Sequence, residues 1–275
     1  MAAVTVLLVL LWLGVTTCSK VDLQKRLIGG QPCRQDERRY HVRLVTKDSK
    51  GEGLCGGSLL RNGWILTAAH CWKSGQTVDA YLGWHLGNNV PIRIPLGIFK
   101  KPTIYEEGPL FKKQKHDLML LKLPDKATIP HGVTTIELPD CSGKPNIGNS
   151  VQIAGQGSTS GSFFTTREPC YSPVLQCGNI NVVSCTRLKQ QEIAENSWHS
   201  YQYWFCGQTP GVDQCFGDSG GGVEYKGRIY GVTSFTGDPD HPCRKPVAFM
   251  DLCHQDYLTW IEKTIGAPPN PGYVV

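Results

Sequence analysis

Several features that would mark common functional classes are scarce in this chain or missing from it. No group of cysteines and histidines has the spacing of a zinc site. No Asn-X-Ser/Thr sequon occurs, so N-linked glycosylation is not expected. Charge of one sign does not dominate: 28 Lys and Arg against 23 Asp and Glu leave a formal +5. Lys100, Lys101, Lys112, Lys113 and Lys115 do cluster in sequence, but a lysine run of this kind reads as a solvated loop, so no nucleic-acid partner is expected. Past the first residues there is no second apolar run long enough to cross a bilayer. Helical periodicity is scarce until the end of the chain. These absences exclude a helical bundle, a multi-span membrane protein and a zinc module.

What is present begins with Met1 to Val15, which are nearly all apolar and followed by Thr16-Thr17-Cys18. The run is short for a membrane span and ends in small residues. It therefore reads as a secretory signal over 1–18, although the usual positive start is missing; a membrane anchor is the alternative. Secretion agrees with twelve cysteines, a count that suits an oxidising compartment. With 40% hydrophobic residues in 275, the chain can bury a sizeable core as one large domain or two small ones.

From Tyr40 onward, short β-branched and aromatic runs alternate with Gly, Pro and Asn. HVRLV, WILTAA, VDAYLG, LMLLKL, SVQIAG, RIYGVTSF and VAFM are examples. Many short strands separated by turn signals predict an all-β sandwich or barrel. Near the end, Leu258, Ile261 and Ile265 share one helical face, and Gly266 and Pro268 follow. A C-terminal helix is expected over about 255–266.

The stretch with the most chemistry in it is DQCFGDSGGG, Asp213 to Gly222. A serine hydroxyl is a poor nucleophile unless a base takes its proton and N–H groups receive the charge that develops on the substrate. Glycines beside Ser219 let backbone and substrate approach closely. Alone, GDSG is equally a turn. Upstream, however, stand LTAAHC, Leu66 to Cys71, and KHDLMLLKL, Lys115 to Leu123. In this order the three blocks resemble the signature blocks of the trypsin/chymotrypsin family of serine endopeptidases, and the resemblance covers essentially the whole chain after Arg26.

The resemblance implies two antiparallel six-stranded Greek-key barrels with a C-terminal α-helix and the site between the barrels. Barrel one would span about 27–140 and barrel two about 141–253. It implies His70 as general base, Asp117 as its orienting carboxylate and Ser219 as nucleophile, with the Gly217 and Ser219 N–H groups as the oxyanion hole. It also implies a zymogen: residues 19–26 would be an activation peptide, cut after Arg26 by an activating protease. The freed amine of Leu27, in Leu27-Ile28-Gly29-Gly30, would then pair with Asp218. Further partners implied are protein or peptide substrates and protease inhibitors.

By the same resemblance Cys33 pairs with Cys177, Cys55 with Cys71, Cys141 with Cys253, Cys185 with Cys206, and Cys215 with Cys243. Cys18 and Cys170 are left over. They either tether the activation peptide or, if the signal is cut after Cys18, leave Cys170 as an odd thiol. The segment Tyr81 to Gly97, where trypsins hold calcium, lacks paired carboxylates, so no metal and no cofactor are expected.

The specificity pocket gives conflicting signals. Asp213 stands where trypsin-like enzymes hold the carboxylate that binds Arg or Lys. Gln214 is bulkier than the usual neighbour and can hydrogen-bond it. The strand expected to receive substrate backbone reads Ser234-Phe235-Thr236, with Thr where Gly is common. Val247 falls on a second wall position usually held by Gly. Side chains at both walls predict a narrowed pocket, weak cleavage after Arg or Lys and a preference for small residues; a displaced Val247 would leave ordinary Arg/Lys cleavage. Gly222 replaces the proline that usually follows GDSGG. A secreted binding protein on a protease fold is the rival class.

Overall fold

A computed structural model describes residues 30–97, 101–109, 111–157, 172–210, 218–237 and 245–268. The signal and activation segments with Arg26 and Leu27, the leftover Cys18 and Cys170, and Asp213, Gln214, Cys215, Gly217 and Cys243 lie outside the described residues.

Two strand systems form. In the first, β2 (His41–Asp48), β3 (Gly51–Leu60), β4 (Trp64–Thr67), β5 (Thr77–Leu82), β6 (Ile92–Ile94), β7 (Thr103–Glu107) and β8 (Gln114–Lys122) pair in the order β6-β5-β2-β3-β4-β8-β7. The second is built from β1 (Gln31–Pro32), β9 (Ser150–Gly155), β10 (Gln176–Val183), β11 (Trp204–Gly207), β12 (Gly222–Tyr225), β13 (Arg228–Thr236) and β14 (Val247–Asp251). Its order is β1-β10-β11-β14-β13-β12-β9, and β9 also pairs with β10, so six strands close on themselves and β1 is added outside. The first system curls through seven strands with no β6–β7 pairing among the described residues. The strands of both systems pair antiparallel. The fold is thus mostly β, one closed six-stranded barrel and one half-barrel.

β8 explains much of the first barrel. Its apolar run Leu118, Met119, Leu120 and Leu121 is almost completely buried, where strict alternation would leave half of it exposed. Such a strand can only sit with both faces covered. His116 and Asp117, just before that run, are drawn into the same dry environment.

Two helices occur among the described residues, α1 (Thr186–Ala194) and α2 (Gln255–Ile265). In α2, Tyr257, Leu258, Ile261 and Ile265 are buried, and Gly266 at φ 67° ends the helix in the left-handed conformation. That is the amphipathic stripe read from the sequence. α1 is not visible there, because only Leu188 and Glu192 of its residues are buried. It is held from outside: by the Cys185–Cys206 disulfide, by Lys245 Nζ donating to Gln191 at 2.9 Å, and by His199 against Glu192.

A buried ion pair joins the N-terminal segment to the second barrel. Arg38 donates to Glu224 at 2.6 Å and to Gln152 Oε1 at 2.6 Å, and Tyr40 donates to the same Glu224 at 2.9 Å. Among the described residues no helix is long and apolar enough to cross a membrane.

Candidate active site

His70 sits in a short 3-10 turn, Ala69–Cys71, directly after β4. The turn is fixed on one side by the Cys55–Cys71 disulfide and on the other by Thr67, whose hydroxyl donates to the Gly56 carbonyl at 2.7 Å. Asp117 approaches from β8. Its Oδ1 accepts the His70 backbone N–H at 2.9 Å and its Oδ2 faces His70 Nδ1 at 2.8 Å. Ser234 Oγ donates to the same Oδ2. The side chain of Asp117 is fully buried, whereas that of His70 is 37% exposed. A dry carboxylate therefore stands behind an accessible imidazole.

The electrostatics follow from that arrangement. Burial alone pushes the Asp117 carboxyl upward, but the hydrogen bonds and charge of His70, with help from Ser234, outweigh it and hold Asp117 below its ordinary range. For His70, burial pushes downward, yet the bond to Asp117 and its charge win over burial and Lys73, so His70 lies above the ordinary imidazole value.

Ser219 is brought to the same place by backbone bonds. Its carbonyl accepts the Gly56 N–H at 2.8 Å, beside the disulfide that fixes the His70 turn, and lies 3.6 Å from Cys71 Sγ. The Gly220 N–H donates to the Thr233 carbonyl at 2.8 Å, and the Thr233 N–H to the Gly221 carbonyl at 2.9 Å. Gly220 has φ +82°, and a Cβ there would lie 2.2 Å from Thr67 Oγ1, so only glycine fits. Gly222 is explained in the same way: a Cβ would lie 2.3 Å from the buried Ser58 Oγ of β3. The departure from proline is thus matched to a neighbour across the barrel interface.

Asp218 is buried, and its Oδ1 accepts the Gly157 N–H at 2.8 Å. The space for it is made by Gly155, where a Cβ would sit 1.8 Å from that oxygen.

The residues expected at the pocket walls lie on two paired strands. Phe235 and Thr236 of β13 stand opposite Ala248 and Val247 of β14. Val247 is 1% exposed and packs with Val151, Ile153, Ile180 and Phe249 in the apolar interior of the second barrel. Thr236 Oγ1 is buried without a hydrogen-bond partner among the described residues. S–S bonds join Cys33 to Cys177, Cys55 to Cys71, Cys141 to Cys253, and Cys185 to Cys206. The ligand atoms of Cys55, His70 and Cys71 lie within 4.8 Å of one another, but both sulfurs are in a disulfide and so offer no thiolate to a metal.

Two contacts at Asp117 carry no sequence signal, those of Ser234 and Gln202. Ser234, expected on the pocket strand, also bonds Asp117. Gln202 is buried and accepts the Asp117 N–H at 2.7 Å. No local pattern around Gln202 signals that role, since the partner lies 85 residues away.

A closed barrel and a half-barrel, four described disulfides and a serine loop pinned beside a histidine–aspartate pair define a fold of the serine-protease class. The chain belongs to the trypsin family, whose family model, described as trypsin, matches residues 27–261. Among curated relatives it is 30% identical over 262 residues to human kallikrein-2, covering 90% of this chain and 92% of that protein. It is also 30% identical over 265 residues to human serine protease 1, covering 95% and 98%. The anionic trypsin of the dog is 30% identical over 273 residues, again covering 95% and 98%.

Proposed function

We propose that the chain is a secreted serine endopeptidase, made as a zymogen and acting by acyl transfer. The observation that carries this reading is the bond from His70 Nδ1 to a fully buried Asp117, with the Ser219 loop held on the same turn. Asp117 keeps the Nδ1–H in place, which leaves Nε2 free to take a proton. Ser219 Oγ attacks the peptide carbonyl as its proton passes to His70, giving a tetrahedral oxyanion that the Gly217 and Ser219 N–H groups stabilise. His70 then protonates the leaving amine, and the C–N bond breaks to leave an acyl-enzyme. Water, deprotonated by His70, repeats the sequence, releases the acid and restores Ser219. The raised basicity of His70 suits a base that must hold a proton between the two halves.

Cleavage after Arg26 would free Leu27 to pair with Asp218, whose carboxylate is already turned toward Gly157. Asp213 is the carboxylate for a basic substrate side chain, in a pocket narrowed by Thr236. Weak Arg/Lys cleavage and a preference for small side chains follow, since overpacking costs about 1–3 kcal/mol. The test is covalent labelling of Arg26-cleaved protein by an organophosphonate, with Ser219→Ala as control. Labelling confined to Ser219 supports the enzyme; no labelling of cleaved protein supports the binding-protein class. A positional peptide library then decides the pocket.

A further inference from the structure

The loop between α1 and β11 runs beside the site and has no part in the mechanism above. Its Gln202 is 1% exposed and uses both ends of its amide. Oε1 accepts the Asp117 N–H at 2.7 Å, and Nε2 donates to the Trp198 carbonyl at 3.0 Å. The Gln202 N–H donates to the His199 carbonyl at 3.1 Å, which closes a turn around the side chain. That turn is itself anchored. The His199 ring stacks on Phe235 with centroids 3.8 Å apart and planes 13° apart, and His199 Nδ1 lies 3.2 Å from the buried Glu192 carboxylate of α1. Phe235 follows Ser234, whose hydroxyl bonds Asp117 Oδ2. Contacts therefore run in a closed circuit from Asp117 through Gln202, His199, Phe235 and Ser234 back to Asp117.

We propose that Gln202 is a positioning residue for Asp117, fixing the peptide plane from which the carboxylate reaches His70. The proposal rests on the acyl-transfer reading of the site. An amide with one end on Asp117 and the other on Trp198 cannot rotate away without breaking a second buried bond. The carboxylate is bonded at Oδ1 and Oδ2 by three donors, His70 N–H, His70 Nδ1–H and Ser234 O–H, so a small rotation of its backbone disturbs all three. A merely structural Gln202 would satisfy a buried N–H and affect stability alone.

The two roles separate in Gln202→Met, which keeps the volume and loses both bonds. On the whole Arg26-cleaved protein, kcat for a short peptide substrate is expected to fall on the order of 10–100-fold with KM little changed. The titration midpoint of His70, followed by proton NMR, is expected to move down, because its partner carboxylate is less well aligned. The charged and titratable groups that act on His70 include Asp117, Lys73 and His199. Gln202→Glu keeps an acceptor for the Asp117 N–H and adds negative charge, so the midpoint should move up instead. A folded Gln202→Met protein with lower melting temperature but unchanged kcat and His70 titration overturns the proposal. If that variant does not fold, Gln202→Asn, one methylene too short to reach Asp117, is judged by the same readouts. Wild-type protein that is never labelled at Ser219 would remove the enzymatic reading, while the histidine titration still decides the role of Gln202.

Discussion

At the scale of single residues, the site depends on one buried charge and its donors. Asp117→Asn keeps the shape but presents an amide to Nδ1, favouring the wrong imidazole tautomer. The expected loss in kcat is on the order of 10⁴-fold, the effect of the same change in trypsin, and steady-state kinetics on cleaved protein measures it. Without the carboxylate, His70 should also titrate lower, shifting the rising limb of the pH–rate profile toward acid. Two other histidines make stability depend on pH. Burial, helped by His85, Arg38 and Arg43, depresses His41 to about 3; burial, helped by His254 and offset by Asp256, depresses His116 to about 4. Between those values and the ordinary 6.5, the unfolded chain binds more protons than the folded one, so stability falls as pH drops through this window. Urea midpoints measured across that range should decline toward acid, and less steeply in His116→Gln.

At the scale of elements, glycine positions join the serine loop to its neighbours. β12 begins at Gly222, whose missing side chain leaves room for Ser58 Oγ on β3. Gly222→Ala should destabilise by about 1–3 kcal/mol through overpacking. Adding Ser58→Ala, which removes the obstructing oxygen, should recover much of that loss. A double-mutant cycle in urea gives the coupling, and simple additivity would show that the two residues do not meet. α1 depends in the same way on outside support. Replacing Cys185 and Cys206 by serine opens a bridge with a sequence separation of 21. Loss of about 3 kcal/mol is expected from loop entropy, with hydrogen-exchange protection lost first along Thr186–Ala194.

At the scale of the whole molecule, the N-terminal segment is tied to the second barrel by Arg38 and Glu224, with side chains only 6% and 15% exposed. Glu224→Ala would leave Arg38 buried without its partner charge, and a cost of about 3–5 kcal/mol in thermal or urea unfolding is expected. The same end of the chain holds the proposed switch. Arg26→Gln protein should resist tryptic activation and hydrolyse peptides far more slowly than the cleaved wild type, as progress curves before and after treatment would show. Full-rate hydrolysis by the uncut variant would remove the zymogen reading.

The sequence by itself determined the strand-rich fold class, the C-terminal helix and the blocks that carry His70, Asp117 and Ser219, because each is written in neighbouring residues. Alternating β-branched runs set strands, one apolar stripe sets α2, and glycines beside Ser219 announce a close backbone approach. α1 was invisible because a polar nine-residue segment becomes a helix here only through contacts made at a distance. Gln202 and the second bond of Ser234 were invisible for the same reason: their partner is 85 and 117 residues away. Tertiary structure decided these contacts because a buried donor or acceptor must find a partner wherever the packing places one, and sequence order does not set that distance.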